Sequence, residues 1–291
     1  MLRQLIIIAP LILLLAGCQT IPKHVPLDGK KAATIKLVQV VSMITQDEII
    51  ARSKPSYVTV AVGGGLLGAA IDSSITESRM REIYAVLEPA YESFDDVDLR
   101  KIFWPQLREF MNQRARLHVN NIVTTPWLIT ANEQVENITN MKEDAYLQIY
   151  TYYFFDPDLR TFNIITGTHM SSKNQEQPAY RNTIAYQSPI VGNGMQHSMD
   201  LWTENNGERF RQAINQGVSE TIRQLEMDLG REKVSPSKKS TTITYNTGTE
   251  VIGRTGNVMA SDTDRIILRE KDGTLISLAN KPFKTSAPAD Y

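Results

Sequence analysis

A single sulfur atom carries the clearest chemistry in this sequence. Cys18 is the only cysteine among 291 residues, so the chain cannot form an internal disulfide. A positively charged start precedes an 11-residue apolar run, Leu5–Leu15, and the small residues Ala16 and Gly17 then lead directly to the cysteine. This is the layout of an export signal. The apolar run is too short to cross a bilayer, because a transmembrane helix needs about 20 apolar residues. The sequence therefore predicts a signal peptide over residues 1–17 and no lasting transmembrane helix there.

The four residues Leu15-Ala16-Gly17-Cys18 resemble the lipobox of bacterial lipoproteins. In that family the cysteine sulfur receives a diacylglyceryl group, and a dedicated peptidase cuts before the cysteine. The resemblance implies that Cys18 is the lipidated residue, that Leu15, Ala16 and Gly17 are the peptidase recognition positions, and that acyl chains such as palmitate bind the bilayer. The absence of Asp at position 19, where Gln19 stands, implies the periplasmic face of the outer membrane rather than the inner membrane.

Lipidation of Cys18 would also restrict the chemistry of the mature chain. A thioether is neither a nucleophile nor a metal ligand of the thiolate kind, so cysteine catalysis and a CxxC redox site are excluded.

A glycine-rich stretch offers two further interpretations. Gly63, Gly65 and Gly68 spell GxGxxG after a candidate strand, which is the pattern of a dinucleotide-binding turn. An exported chain without following βα units does not fit that chemistry, so we predict no nucleotide cofactor. Gly64 and Gly68 are four residues apart within the apolar segment Val58–Ile71, and such spacing allows close helix approach. One interpretation is that this segment mediates self-association or contacts a membrane; the alternative is a buried glycine-rich turn followed by a helix.

The titratable residues do not form a recognisable catalytic or metal pattern. The histidines are not spaced as ligand pairs, and there is no HExxH or GxSxG motif. The clustered aspartates stand at turns or helix starts, where capping explains them. We therefore predict no metal site, no cofactor and no catalytic residue, and hence no enzyme. The residues in question are His24, His118, His169 and His197, and the sets Asp95/Asp96/Asp98, Asp156/Asp158 and Asp262/Asp264.

Hydrophobic periodicity predicts the elements that would position these residues. An aromatic-rich hairpin is expected at 145–155 and 160–170, joined by a turn at 156–159 with Pro157 in second position. Its aromatic side chains indicate a central strand covered on both faces, with a stacking platform for a glycan or peptide as the alternative. Asp98 is expected to cap a helix, and Glu208–Leu229 is expected to form a long amphipathic helix ending at Gly230.

These elements predict an α+β fold, with a mainly antiparallel sheet, helices packed on it and a small C-terminal β module. The expected organisation is a signal peptide (1–17), a lipidated N-terminus and tether (18–32), an α/β periplasmic domain (33–230), a linker (231–242), the β module (243–282) and a tail (283–291). The order of elements in the main domain resembles the periplasmic domains of curli-secretion-type and penicillin-binding-protein-activator lipoproteins. That resemblance carries no functional residue beyond the lipobox.

Charge and composition limit the partners. There are 31 Lys and Arg against 32 Asp and Glu, so a net charge of −1 excludes a global basic field and argues against nucleic-acid binding. We predict a membrane-anchored envelope lipoprotein that acts as a non-enzymatic assembly or interaction module for envelope proteins. The alternatives are a subunit of an oligomeric outer-membrane channel or secretion ring, which includes homo-oligomers, and a periplasmic enzyme of unrecognised type.

Overall fold

The structure, a computed structural model, describes residues 24–51, 77–173, 177–232, 234–235, 237, 240–246 and 251–280. The lipobox residues Leu15–Cys18 and the glycines Gly63–Gly68 lie outside the described residues. The elements in chain order are α1 (Gly29–Thr34), β1 (Val38–Met43), β2 (Ile50–Ala51), α2 (Glu77–Leu87), a 3-10 helix (Glu88–Ser93), α3 (Leu99–Gln113), β3 (Val119–Thr125), α4 (Ala131–Asn140), β4 (Ala145–Phe155), β5 (Phe162–Ser172), β6 (Tyr180–Gln187), α5 (Met195–Leu229), β7 (Ser240–Asn246), β8 (Val251–Ser261), β9 (Arg265–Glu270) and β10 (Leu275–Ala279).

One mixed sheet organises the described strands. Its order is β3-β1-β4-β5-β6-β10-β9-β8-β7, and β2 adds to β4 beyond the end of β1. The neighbours from β4 to β6 and from β10 to β7 are antiparallel, whereas β1 pairs in parallel with both β3 and β4. Helices pack against this sheet. The predicted α+β fold with a mainly antiparallel sheet is confirmed.

The C-terminal strands continue the main sheet. The sequence places them in a small β module, and the expected hairpin forms, with Gly273 at φ +92° in its turn. β10, however, pairs in parallel with β6, with Leu275 opposite Ile184. The strands of the module and of the main domain therefore share one hydrogen-bonded sheet.

The β4–β5 hairpin lies at the centre of the sheet and is buried on both faces. On one face Phe155 packs against Trp202 and Phe210 of α5, with ring centroids 5.4 and 5.7 Å apart. On the other face Tyr152 and Phe154 belong to a separate apolar cluster with residues of β9 and β10. The covered central strand is confirmed, and the aromatic platform is not, because these rings are not exposed. Buried in this way, the hairpin is not available to a membrane in this fold.

The two helices that cover the sheet follow the predicted signals. The Asp98 carboxylate accepts the N–H of Arg100 at the start of α3, and the helix continues through Pro105. α5 begins at Met195, earlier than the expected Glu208, because another helical segment precedes the expected one. Residues 204–207, between the two segments, have non-helical backbone angles. Gly207 adopts φ +78°, and a Cβ there would lie 2.7 Å from the Ser93 carbonyl oxygen, so only glycine fits this break. Gly230 caps the C-terminus as predicted.

We name the two ends of the sheet and define each by the strands that begin, turn or finish there. The tether end is where β1 and β4 begin and β5 finishes, with Val38 opposite Ala145 and Ala145 opposite Ser172. The distal end is where β4 turns into β5, at residues 155–162. The 11 residues of β4 separate the two ends by about 35 Å. Among the described residues, no helix combines the length and apolar character that spanning a membrane requires.

Candidate functional site

The candidate residues from the sequence are not brought together in the described part of the chain. Cys18, Leu15, Ala16, Gly17 and the glycines Gly63, Gly64, Gly65 and Gly68 lie outside it. His118 and His197 are exposed, and His169 is buried opposite Arg181 in the β5–β6 pair. No group of three metal-ligating side chains gathers within the described ranges.

One aspartate of each cluster, Asp98, Asp156 and Asp262, accepts backbone N–H groups at a turn or helix start, as capping predicts, whereas Asp96 accepts from the Arg211 side chain. One carboxylate oxygen of Asp156 accepts the N–H groups of Arg160 and Thr161 at 2.6 and 3.0 Å. Asp262 accepts the N–H groups of Asp264 and Arg265 in the β8–β9 turn. These contacts specify turns, so the Asp156 and Asp262 carboxylates act as structural acceptors.

Asp156 makes the stability of the protein dependent on pH. Burial, the largest cause, raises the pKa of this carboxyl from 3.8 to about 7, against the lowering effect of its backbone hydrogen bonds. Between those values the folded state holds a proton that the unfolded state has lost, so the contribution of Asp156 to stability is largest at low pH and falls as the pH rises to about 7. We expect the free energy of unfolding of the parent, relative to Asp156→Asn, to fall by at most about 4 kcal/mol over this interval.

Urea unfolding of both proteins at pH 5 and pH 8 measures the part of this difference that lies above pH 5, about 3 kcal/mol. The asparagine variant keeps the acceptor oxygen for Arg160 and Thr161 but cannot ionise. A parallel pH dependence in the two proteins would show that Asp156 does not titrate in this range.

An open cavity of about 300 Å³ lies at the distal end of the sheet. Its rim carries three exposed carboxylates, Asp47, Glu48 and Asp95. Its walls are mainly aromatic and apolar side chains: Ile49, Tyr91, Phe94, Val97, Tyr153 and Phe210. We call this feature the acidic cavity.

Gln46 positions the loop that bears two of the rim carboxylates. Its side-chain N–H groups donate to the carbonyls of Glu48 and Tyr153, at 2.5 and 2.8 Å, and its carbonyl accepts the N–H of Tyr153. The glutamine amide thus pairs with β4 where β1 has ended, much as a strand residue would. This holds Asp47 and Glu48 at the mouth of the cavity.

The aromatic wall comes from three elements that meet at the distal end. Phe94, just after the 3-10 helix, packs on Phe210 of α5 with ring centroids 4.2 Å apart. The Tyr91 hydroxyl donates to the carbonyl of Ile49 at 3.0 Å, which ties the 3-10 helix to the residue just before β2. Tyr153 comes from β4.

Electrostatics keep both tyrosines protonated. Burial is the main cause that raises the pKa of Tyr91 to about 12, and nearby Tyr84, Glu48 and Glu88 add to it. Burial likewise raises the pKa of Tyr153 to about 12, with a further contribution from Asp98. At neutral pH both phenols are therefore hydrogen-bond donors and not general bases.

One rim carboxylate is partly neutralised by a neighbouring cation. Arg100 donates to Asp47 and to Asp98, each at 2.8 Å, so Asp47 already has a partner. Glu48 and Asp95 face solvent and form no ion pair with a cation in the part of the chain that the structure describes. They leave the mouth of the cavity with unbalanced negative charge.

The Tyr153 side chain forms part of the wall of the acidic cavity. It is only 3% exposed, and it reaches the cavity from β4. An anionic rim above aromatic walls suits a cationic group on an apolar stem, such as a lysine or arginine side chain.

Sequence reasoning did not find the acidic cavity. The rim residues lie more than 40 positions apart in the chain, at 47–48 and 95, and no spacing rule links them. The available signal was the polar run Gln46-Asp47-Glu48 between two apolar strands, which marks a surface loop but not its neighbours.

A second surface lies along β3. In the described part of the sheet β3 pairs with β1 alone, so its outer side is an open edge. Trp127 directly after the strand is 76% exposed and Val135 on α4 is 64% exposed. Open edges next to apolar side chains are places where an extended peptide can add a strand.

Comparison with known proteins adds little to these observations. No family model matches the chain, and no curated protein matches it. Among solved structures it is similar to a hypothetical protein from Chlamydia trachomatis, at 6% identity and a TM-score of 0.25, over 67% of this chain and 97% of that one. At that TM-score the similarity supports no statement about function.

Proposed function

We propose that this chain is a lipid-anchored protein of the cell envelope that acts as a non-enzymatic interaction module for an envelope complex. The anchor is the lipobox cysteine Cys18, on the periplasmic face of the outer membrane. The observation that carries the interaction role is the acidic cavity, whose aromatic walls and anionic rim are suited to binding a cationic group. An anchor that confines the domain to a thin layer raises its effective concentration for partners in that layer.

The chemistry of the cavity favours binding over catalysis. Its two phenols keep their protons at neutral pH, and its carboxylates lie at an open rim where water competes for them. A cation held there gains ion pairing at the rim and contact with ring faces below it. The partner that this arrangement fits is a protein segment that presents a lysine or arginine side chain.

A titration with a defined probe tests the cavity directly. N-acetyl-arginine amide added to the purified protein is expected to shift the ring resonances of Tyr91 and Tyr153 in a saturable way. In the double variant Glu48→Gln/Asp95→Asn we expect binding about fivefold weaker, because each exposed ion pair contributes about 0.5 kcal/mol. Two-dimensional NMR of labelled protein measures both effects.

A matched control distinguishes binding at the cavity from an effect of the overall charge of the protein. The double variant Asp264→Asn/Glu232→Gln removes the same charge from exposed positions outside the cavity and is expected to bind like the parent. Equal binding by all three proteins, or shifts that do not saturate, would mean that the cavity is not a cation site.

A further inference from the structure

The chain that follows the predicted anchor is docked on the domain. Val25 forms an antiparallel bridge with Arg181 at the start of β6, with N–H···O distances of 2.8 and 2.9 Å. Leu27 is buried in the main core, and its carbonyl accepts a hydrogen bond from Arg116 at 2.7 Å. His24 lies against Gly273 in the β9–β10 turn. The described chain therefore begins fixed to the tether end of the sheet.

The distance from Cys18 to this docked segment is short. Six Cα-to-Cα steps separate Cys18 from His24, and a fully extended chain covers at most about 20 Å in that length. The strand β4 alone is about 35 Å long. If Cys18 is held at a bilayer surface, the tether end must lie close to that surface, and the distal end cannot replace it.

The two ends also differ in charge. Exposed basic side chains surround the tether end: Lys30, Lys36, Lys142, Lys173, Arg231 and Lys271. Exposed acidic side chains surround the distal end: Asp47, Glu48, Glu92, Asp95, Asp96 and Asp264, of which Asp47 and Asp96 are paired with Arg100 and Arg211.

Most of the acidic side chains at the tether end accept hydrogen bonds from backbone N–H groups. Asp28 accepts the N–H of Lys31, Asp144 accepts those of Lys36 and Leu37, and Asp272 accepts that of Thr274, whereas Glu232 is exposed without such a contact. These hydrogen bonds leave the carboxylates charged, so the four acidic side chains offset four of the six exposed basic ones, and an excess of two positive charges remains. Anionic lipid headgroups attract clustered Lys and Arg within a Debye length and repel carboxylates.

From the docked segment, the short reach and the charge difference, we propose that the tether end of the domain lies on the bilayer and contacts anionic lipid headgroups. The acidic cavity then points away from the membrane. This inference rests on the proposed lipid anchor, and it adds the orientation of the domain and the chemistry of the surface that it contacts.

Contact quenching in vesicles tests the orientation. Because Cys18 would carry lipid, Lys271→Cys and Asp264→Cys each introduce one labelling position, at opposite ends of β9. The full-length protein, purified from membranes, labelled with a small fluorophore and placed in vesicles of phosphatidylethanolamine and phosphatidylglycerol, is exposed to a nitroxide-labelled headgroup lipid. We expect several-fold stronger quenching at position 271 than at position 264. The unsubstituted protein should take up no label.

Two further variants separate reach from charge. A Gly/Ser insertion of about 20 residues between Gln19 and Thr20 removes the limit on reach, and quenching at position 271 should then persist only through charge. Adding Lys30→Glu and Lys173→Glu to that insertion should abolish the quenching at position 271, whereas quenching that survives this change would exclude headgroup attraction.

Equal quenching at both positions of membrane-bound protein without the insertion would overturn the orientation and leave the anchor intact. Labelling of the unsubstituted protein, or its recovery away from the vesicles, would instead overturn the anchor itself.

Discussion

Replacing Cys18 with serine is expected to abolish incorporation of labelled palmitate completely. Serine presents no thiol to the lipid donor, and Cys18 is the only cysteine in the chain. Burying each CH₂ group of an acyl chain contributes about 0.8 kcal/mol, and two chains give stable anchoring where one is marginal. Loss of this residue therefore removes the largest contribution to membrane binding in the proposal. Metabolic labelling followed by electrophoresis measures the change.

A second variant avoids an ambiguity of the serine substitution. Cys18→Ser would also stop the cut before residue 18, so the apolar run Leu5–Leu15 would stay attached and adhere to membranes. A chain that begins at Gln19 behind a conventional export signal has neither feature, and we expect to recover it in the soluble fraction. Thr20→Ser, next to the lipobox, should keep the label. Palmitate on the serine variant, or membrane recovery of the chain that begins at Gln19, would contradict lipid anchoring through Cys18.

Asp228→Ala is expected to lower the free energy of unfolding by about 3–5 kcal/mol. The Asp228 side chain, only 7% exposed, accepts hydrogen bonds from the Tyr180 hydroxyl at 3.0 Å, from the Asn182 amide and from the Arg269 guanidinium at 2.5 Å. Removing the carboxylate leaves a largely buried cation and two polar groups without their acceptor. The cost of an uncompensated buried charge exceeds the worth of the pair itself.

This network also joins the C-terminal strands to the rest of the fold, since Asp228 is on α5, Tyr180 on β6 and Arg269 on β9. We therefore expect the variant to destabilise both parts together, and urea unfolding followed by circular dichroism and by tryptophan fluorescence measures it. Asp264→Ala, at an exposed turn position, should change stability by less than about 0.5 kcal/mol. A loss below about 1 kcal/mol for Asp228→Ala would show that water replaces the carboxylate.

Local elements were predictable where a few adjacent residues decide them. The Asp98 cap, the turn at Asp156-Pro157-Asp158-Leu159 and the Asp-Gly turn at 272–273 all formed, because each depends on hydrogen bonds or backbone angles within about five residues. The aromatic content of β4 likewise predicted a strand covered on both faces. These signals are contained in the sequence window itself.

Long-range placements were not predictable in the same way. No residue of β6 or β10 indicates that the two strands pair in parallel, because roughly 90 positions separate them and many registers satisfy the same apolar pattern. The break in α5 at 204–207 depends on Gly207 meeting the Ser93 carbonyl, and that contact exists only after the 3-10 helix has packed on α5.

Contiguous residues and short periods were enough to predict the kinds of element, and they are also the basis on which the export signal and the lipobox are proposed. The grouping of side chains on shared surfaces, in contrast, came from the packing of distant segments. Packing brought Asp47, Asp95 and Tyr153 to one cavity, and it fixed His24 beside Gly273 at the other end of the sheet. A binding surface depends on distances between side chains, and these distances follow from strand order, register and helix packing rather than from spacing along the chain.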